Sequence, residues 1–432
     1  MKKLSVIIVF FASLIIVSCK SGPFNLIKPA TPHQAYERKL KTAGLDQTIM
    51  GAKWINNAQQ SLQKALAITL PYQEKGYFSA EKIEAVAYRF QLNRGQKLQV
   101  KLDRKPINGF MIYFDLWEPD GANYKLLAAA DTLGSELQLD AEKTGTYILR
   151  LQPELLGSGS YTIVATTGPS LAFPLKSATR NSIKSLWGVG RDNDTRKHEG
   201  IDIFAPFRTP VLAVAPGTVT RVNTNNLGGK VVWFRPEGKD YNLYYAHLDE
   251  QTVSDGQSVL LGDTLGRMGN TGNAQGGLPH LHFGIYANGG AIDPLPFVDP
   301  TGQTAPKVNS SIDVLNATMR TNGKTTLVTS VQEIPLNIGT VIRVSGATGN
   351  NYRVELPDGN IGYITGNKLS STSKSLAKYK VKLPEQPVFD KPDTTAAVIL
   401  NLKNEEIVEV LGSFGDYQLM LNKNNETGWI KR

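Results

Sequence analysis

Apolar residues between positions 31 and 70 recur at helical spacing, with Tyr36 and Leu40 on one face and Met50, Trp54, Ala58, Leu62 and Leu66 on another. Gly44 separates the two predicted helices. Beyond Pro71 the period drops to two: Tyr88, Phe90 and Leu92 alternate with polar residues, as do Leu98, Val100 and Leu102, then Tyr147, Leu149 and Leu151. Turn signals such as Pro119-Asp120-Gly121 and Gly157-Ser158-Gly159 break these strands, which is the patterning of a β-sandwich. The chain is thus expected to be mainly β, with a helical N-terminal segment (19–75), a sandwich (76–170), a glycine-dense β region (174–300) and two short β units (312–370 and 376–432).

The last two units form an internal repeat. Tyr352 followed by Gly362-Tyr363-Ile364 recurs as Tyr417 followed by Gly428-Trp429-Ile430, an offset of 66 residues, each preceded by a valine-rich strand and a predicted glycine turn at Gly346 and Gly412. Small tandem barrels follow from that period, and the units resemble bacterial SH3-like domains, a family that binds cell-wall peptides; the alternative is that at least one of them is a spacer packed on its neighbour. Ser370 to Ser375 reads as the linker between them. The stretch from Gly145-Thr146-Tyr147 to Gly159-Ser160-Tyr161 resembles the end of a bacterial pre-peptidase sandwich.

With 432 residues the chain has room for about three domains, and 40 Gly with 23 Pro exclude long coiled coils. Met1-Lys2-Lys3 followed by an apolar stretch over 6–17 is too short to span a bilayer and reads as a signal peptide (1–18). Ile16-Val17-Ser18-Cys19 resembles the lipobox of bacterial lipoproteins, which implies cleavage before Cys19 and its lipidation. As Cys19 is the only cysteine, neither an internal disulfide nor a cysteine-ligated metal site is possible. Without Lys2 and Lys3 the balance is 45 basic to 38 acidic residues, or +7, spread along the chain. No basic stripe or recognised module marks a nucleic-acid binder, so the excess suits an anionic polymer or surface.

Four of the five histidines fall in the glycine-dense region: His198-Glu199-Gly200-Ile201-Asp202, Tyr245-Ala246-His247 and His280-Leu281-His282. His33 stands apart, with no acidic or histidine company, and is expected at the surface. In a strand, side chains at i and i+2 share a face about 6–7 Å apart, so His280 and His282 can flank one site while Leu281 faces the core. One of them can ligate a metal while the other stands beside its water. His198 and Asp202 would lie about 13 Å apart in an extended chain, too far for two donors on one zinc, so the chain must bend, and Gly200 is the expected bend. A helix would also unite them, but Gly200, two β-branched Ile and Pro206 disfavour it. Two His and one carboxylate leave a fourth tetrahedral position for water, whose pKa zinc lowers from 15.7 to about 7. Gly266 to Gly277 carries neither a Gly-Lys-Ser/Thr ending nor a following helix pattern, so it is not a phosphate-binding loop.

These residues, with Ala205-Pro206, Ala215-Pro216-Gly217-Thr218-Val219, Gly266 to Gly272, Pro279 to Phe283 and Ile292-Asp293-Pro294, resemble the lysostaphin-type, or LytM-like, zinc metallopeptidases that cut peptidoglycan cross-bridges. The resemblance covers about a quarter of the chain. It implies Zn2+ as cofactor, His198, Asp202 and His282 as its ligands, His247 and His280 as the two non-ligand catalytic histidines, and a mostly antiparallel β fold with a cleft walled by loops. Some relatives have lost these residues and act only as activators; this sequence retains each one.

The expectation is therefore a zinc endopeptidase with peptidoglycan as partner, lipid-anchored in the cell envelope as an outer-membrane lipoprotein facing the periplasm. Cross-links of the D-Ala to diaminopimelate kind are the expected substrate there, and the repeats are expected to capture polymer, since no candidate acid, base or ligand lies beyond Pro300. The competing reading is a catalytically silent wall-binding or regulatory lipoprotein whose N-terminal region occludes the site.

Overall fold

A computed structural model of the chain describes residues 29–131, 136–176, 178–191 and 193–432, so the lipobox and Cys19 lie outside the described residues. The two expected helices are α1 (Pro32–Thr42) and α2 (Ile49–Gln63), joined through a 3₁₀ turn at Leu45–Gln47. Thr31 and Gln34 form a capping box at the start of α1, and the Thr48 side chain caps α2 by accepting from the Gly51 amide. Trp54, Ala58 and Leu62 of α2 are buried, and the Trp54 indole N–H donates to the Pro153 carbonyl at 2.8 Å. His33 corrects an expectation: it is 4% exposed, stacked on Trp54 at 4.6 Å and hydrogen-bonded to Gln152 at 2.7 Å. Beside it Arg150 and Asp115 form a buried ion pair.

The helices rest on one sheet of the sandwich, built from Val86–Leu92, Gly145–Pro153, Ile112–Asp120 and Asn123–Ala129. The opposing sheet contains β1 (Tyr72–Phe78) and β2 (Gly159–Pro169), paired antiparallel over the whole of β1. Between the sheets lie the side chains that the period-two pattern assigns to the core, among them Tyr88, Leu98, Val100, Leu102, Leu149 and Leu151.

The glycine-dense region forms its own antiparallel sheet with a separate core. Its strands include β3 (Ile201–Phe204), β4 (Gly217–Asn225), β5 (Gly229–Pro236), β6 (Asn242–Gln251) and β7 (His280–Ala287), in spatial order β3-β7-β6-β5-β4. Ile201, Ile203, Phe234, Leu243, Tyr245, Leu281, Phe283 and Ile285 bury one face, leaving the alternate residues of the same strands on the other. A short turn of helix, Leu295–Val298, ties this domain to the sandwich: Phe297 lies where a Cβ on Gly95 would sit, 2.2 Å from its ring, and Gly95 has φ +91°, so only glycine fits there.

The first repeat does not stand apart from the sandwich. Its strand β8 (Val341–Thr348) pairs with β1 at Lys75↔Ala347 and Gly76↔Gly346, so the two units share one eleven-stranded sheet. Gly346 and Gly412 lie within strands at register shifts and not in turns. A Cβ on Gly346 would come within 2.8 Å of the Glu74 carboxylate, so close approach across the junction explains the glycine. The expected linker is in part a strand, Leu369–Ser371, paired with Thr318–Thr321. The second repeat has its own six-stranded sheet and touches the first through the Thr340↔Ser413 bridge.

Candidate metal centre

The antiparallel register of β3 and β7 sets Asp202 directly opposite His282, and Phe204 opposite His280, while Ile203 and Leu281 pair on the core side. The i, i+2 spacing of His280 and His282 therefore does place both on the solvent-side face, as the strand period predicts. The chain reverses before β3 and brings His198 over the same spot. Gly200 is required by contact and not by conformation: its φ is not left-handed, but a Cβ there would lie 2.7 Å from the His282 ring and from the Phe283 carbonyl.

Three donor atoms then converge. His198 Nε2, Asp202 Oδ1 and His282 Nδ1 lie 3.0 Å from one another on every side of the triangle. His198 Nδ1 is 2.9 Å from the Leu186 carbonyl, which can only accept, so the ring donates there and its Nε2 lone pair faces the Asp202 carboxylate in the neutral form. A lone pair aimed at an anion needs an electrophile between them. Ligands 2.0–2.1 Å from a tetrahedral zinc are separated by about 3.3 Å, so this two-imidazole, one-carboxylate set fits zinc in donor chemistry and in spacing.

The electrostatics keep the set basic. Burial pushes the Asp202 carboxyl up, but when the two imidazoles carry protons toward it the hydrogen bonds and charges of His198 and His282 outweigh burial and hold the group well below the usual carboxylate range. The Arg191 guanidinium donates to the other carboxylate oxygen, Oδ2, at 2.6 Å. Burial lowers His282, against the raising effect of Asp202.

His247 and His280 flank the triangle, their rings 4.9 Å apart and His247 5.9 Å from His282. His247 reaches the cleft because the ladder between β5 and β6 shifts register between Lys230 and Val232, and because its backbone adopts φ +64°, unusual outside glycine. Each ring donates Nδ1–H to a main-chain carbonyl at 2.9 Å, His247 to Thr271 and His280 to Leu278, which leaves both Nε2 atoms as acceptors. Burial first, then the neighbouring His280, lowers His247 to about 4, so it is neutral at pH 7. His280 also stacks on Phe204 at 4.9 Å.

All five expected residues of this region thus meet in one cleft of about 810 Å³, with Arg191, Trp233, Tyr244 and Tyr286 also in its lining. Of the added residues Tyr244 was readable, since it shares the phase of Ala246, which is opposite His282. Arg191 was not, because its position depends on the short hairpin of Gly190–Arg191 with Arg196–Lys197.

Residues 196–294 match the model of Peptidase family M23. Among known proteins the chain is similar to the L-Ala–D-Glu endopeptidase of Bacillus subtilis (36% identity over 137 residues, 29% of this chain and 42% of that protein). It is also similar to the peptidoglycan DD-endopeptidase ShyC of Vibrio cholerae (32% over 125 residues, 29% of this chain and 28% of that protein). The match therefore spans less than half the length of either relative. Among solved structures, LytU aligns with a TM-score of 0.26 and 36% identity, over 28% of this chain and 86% of that one. The segment 196–294, which matches the model of Peptidase family M23, contains the three converging donors and both flanking histidines.

Proposed function

We propose that this chain is a zinc-dependent endopeptidase that hydrolyses peptide cross-links of peptidoglycan. The observation that carries the reading is the convergence of His198 Nε2, Asp202 Oδ1 and His282 Nδ1, each 3.0 Å from the other two. His198, Asp202 and His282 are the residues that would hold the zinc. What a bound zinc supplies is water activated at neutral pH and polarisation of the scissile carbonyl. Asp202 keeps its charge because the Arg191 guanidinium donates to its second oxygen, Oδ2. His247 and His280 tie their Nδ1 atoms to the main chain and so turn their Nε2 atoms to the reaction, one to take the proton released by the attacking water and the other to hold the developing oxyanion. Their backbone-tied Nδ1 atoms fix which nitrogen does this.

The cleft is lined entirely by residues from 191 to 286 among the described residues, which speaks against occlusion by the N-terminal helices. The lipobox supports Cys19 as a lipid-anchored terminus and an outer-membrane site facing the periplasm, where D-Ala to diaminopimelate bonds are the substrate; the repeats add polymer capture. The test is muropeptide release from purified sacculi, followed by mass spectrometry, before and after removal of zinc with a chelator and its restoration. Release that stops with the metal and returns with it supports the proposal. Release indifferent to zinc refutes it.

A further inference from the structure

Beyond the metal centre the solvent-side face of the sheet continues as a path of aromatic rings. Tyr244 lies 5.9 Å from the His282 ring, and Trp233 lies 4.5 Å from Tyr244, so the indole lies at most about 10 Å from the His282 ring, a span of about three extended residues. At its end Trp233 also lines a second pocket of about 390 Å³, whose other walls are Thr220, Arg221, Arg235 and Asn242. The register explains the grouping. Arg221 on β4 is directly opposite Trp233 on β5, and Arg235 is two residues further along β5, so both guanidiniums flank the indole on one face.

Other exposed arginines of this domain are paired: Arg208 with Asp249 and Glu250, and Arg267 with Glu250. By contrast, among the described residues no carboxylate lies within 4.0 Å of Arg221 or Arg235. Two unpaired guanidiniums side by side repel each other, and an anion between them relieves that repulsion while using the fork geometry that suits a carboxylate. We infer that Arg221 and Arg235, beside Trp233, form a subsite for a free carboxylate of the peptide substrate, about three residues from the scissile bond. This deepens the endopeptidase reading and rests on it for the identity of the peptide. Recognition of a charge that a wall peptide can carry or lose by amidation makes the subsite a specificity device.

The experiment uses the full zinc-loaded chain with two probes: untreated sacculi, and sacculi whose carboxylates have been amidated with carbodiimide and ammonia. Co-sedimentation in the cold measures binding without turnover, and muropeptide release measures cleavage. The wild type is expected to favour untreated sacculi by about tenfold in both. The pair Arg221→Gln/Arg235→Gln should abolish the preference, with zinc content by atomic absorption unchanged. Arg221→Lys/Arg235→Lys should retain much of it. Lys101→Gln/Lys105→Gln, which removes two exposed charges on the sandwich, should keep it in full. A wild type without preference, or a preference that survives in the Gln pair, overturns the subsite. Equal loss in the Lys101/Lys105 pair also overturns it, because general charge then explains the effect. Preferential sedimentation without any muropeptide release would instead refute the endopeptidase reading and leave the carboxylate site standing.

Discussion

The junction between the sandwich and the first repeat rests on a buried ion pair, and breaking it should be costly. Glu74 of β1 is 0% exposed and Arg353, on the strand Asn351–Glu355 next to β8, is 1% exposed. The Arg353 Nε donates to the Glu74 carboxylate at 3.2 Å, and Nη2 donates to Tyr161 at 2.8 Å and to the Ser345 carbonyl at 3.2 Å. Three phenols also donate to that carboxylate: Tyr72 and Tyr88 at 2.7 Å and Tyr161 at 2.9 Å. Tyr363, from the repeat, bonds Tyr72 at 2.9 Å. Arg353→Met leaves the carboxylate buried with its phenols but without a countercharge, and removing one partner of a buried pair costs about 3–5 kcal/mol. For a cooperative unit of 150–250 residues each kcal/mol moves Tm by about 2–4 °C, so the transition that contains the sandwich should fall by about 6–20 °C. Glu74→Gln should do similar damage. The double variant Glu74→Gln/Arg353→Met removes both charges of this pair and should recover most of the loss. Differential scanning calorimetry of the full chain, which resolves more than one transition, is the assay. An Arg353→Met protein melting within about 2 °C of the wild type, or a double variant as unstable as the two single losses added, would refute the reasoning. The same pair bears on domain dissection. Cutting the chain after Val308 removes Arg353 and Tyr363 and uncovers the edge of β1, so a shortened protein should show a destabilised sandwich as well as any loss of sacculus binding.

Three further outcomes follow from the site and the helices. His282→Ala should lose zinc and activity together, whereas His280→Ala and His247→Ala should keep zinc by atomic absorption and lose turnover by about 10² to 10⁴; metal loss from His280→Ala with retention in His282→Ala would reverse the roles. Gly200→Ala places a methyl 2.7 Å from the His282 ring and should weaken zinc binding about 10- to 100-fold in a chelator competition while the far-UV spectrum is unchanged; unchanged affinity would show that the turn relaxes. His33, lowered below 6.5 chiefly by burial, binds its proton more readily in the unfolded chain, so the helical segment should lose stability as pH falls below about 6.5; a His33→Gln protein with the same pH-dependent melting between pH 7 and 5 would remove His33 as the cause.

What could be read from the sequence was whatever local periodicity fixes. His280 and His282 share a face because strands alternate, and the pairing of Asp202 with His282 follows once β3 and β7 are neighbours. Alternation alone gives the wrong face for His247, since it would join Tyr245 in the core; a register shift and a left-handed residue turn it outward, and neither leaves a mark in a chain read one residue at a time. The motif resemblance supplied that histidine. His33 was legible and was misread: it stands three residues before Tyr36 and seven before Leu40, on the same helical stripe, and the absence of acidic neighbours in sequence said nothing about Gln152 and Trp54 in space.

The fusion of sandwich and repeat shows the other limit. Half of it was legible, because Tyr72, Glu74, Gly76 and Phe78 occupy the buried phase of β1, and a carboxylate at a core position requires a partner. The partner lies 279 residues away, and nothing in the local pattern around Arg353 selects Glu74 over any other acid. The junction itself is made of main-chain hydrogen bonds between two strand edges, which any side chains can accompany. Its side-chain requirement is negative: Gly346 and Gly76 face each other in register, a Cβ on the first would meet Glu74 and one on the second would come within 2.3 Å of the Tyr161 ring. A glycine in a strand signals only that something comes close. What comes close is decided by topology, so a repeat that reads as a free-standing module in sequence is part of the sandwich in space.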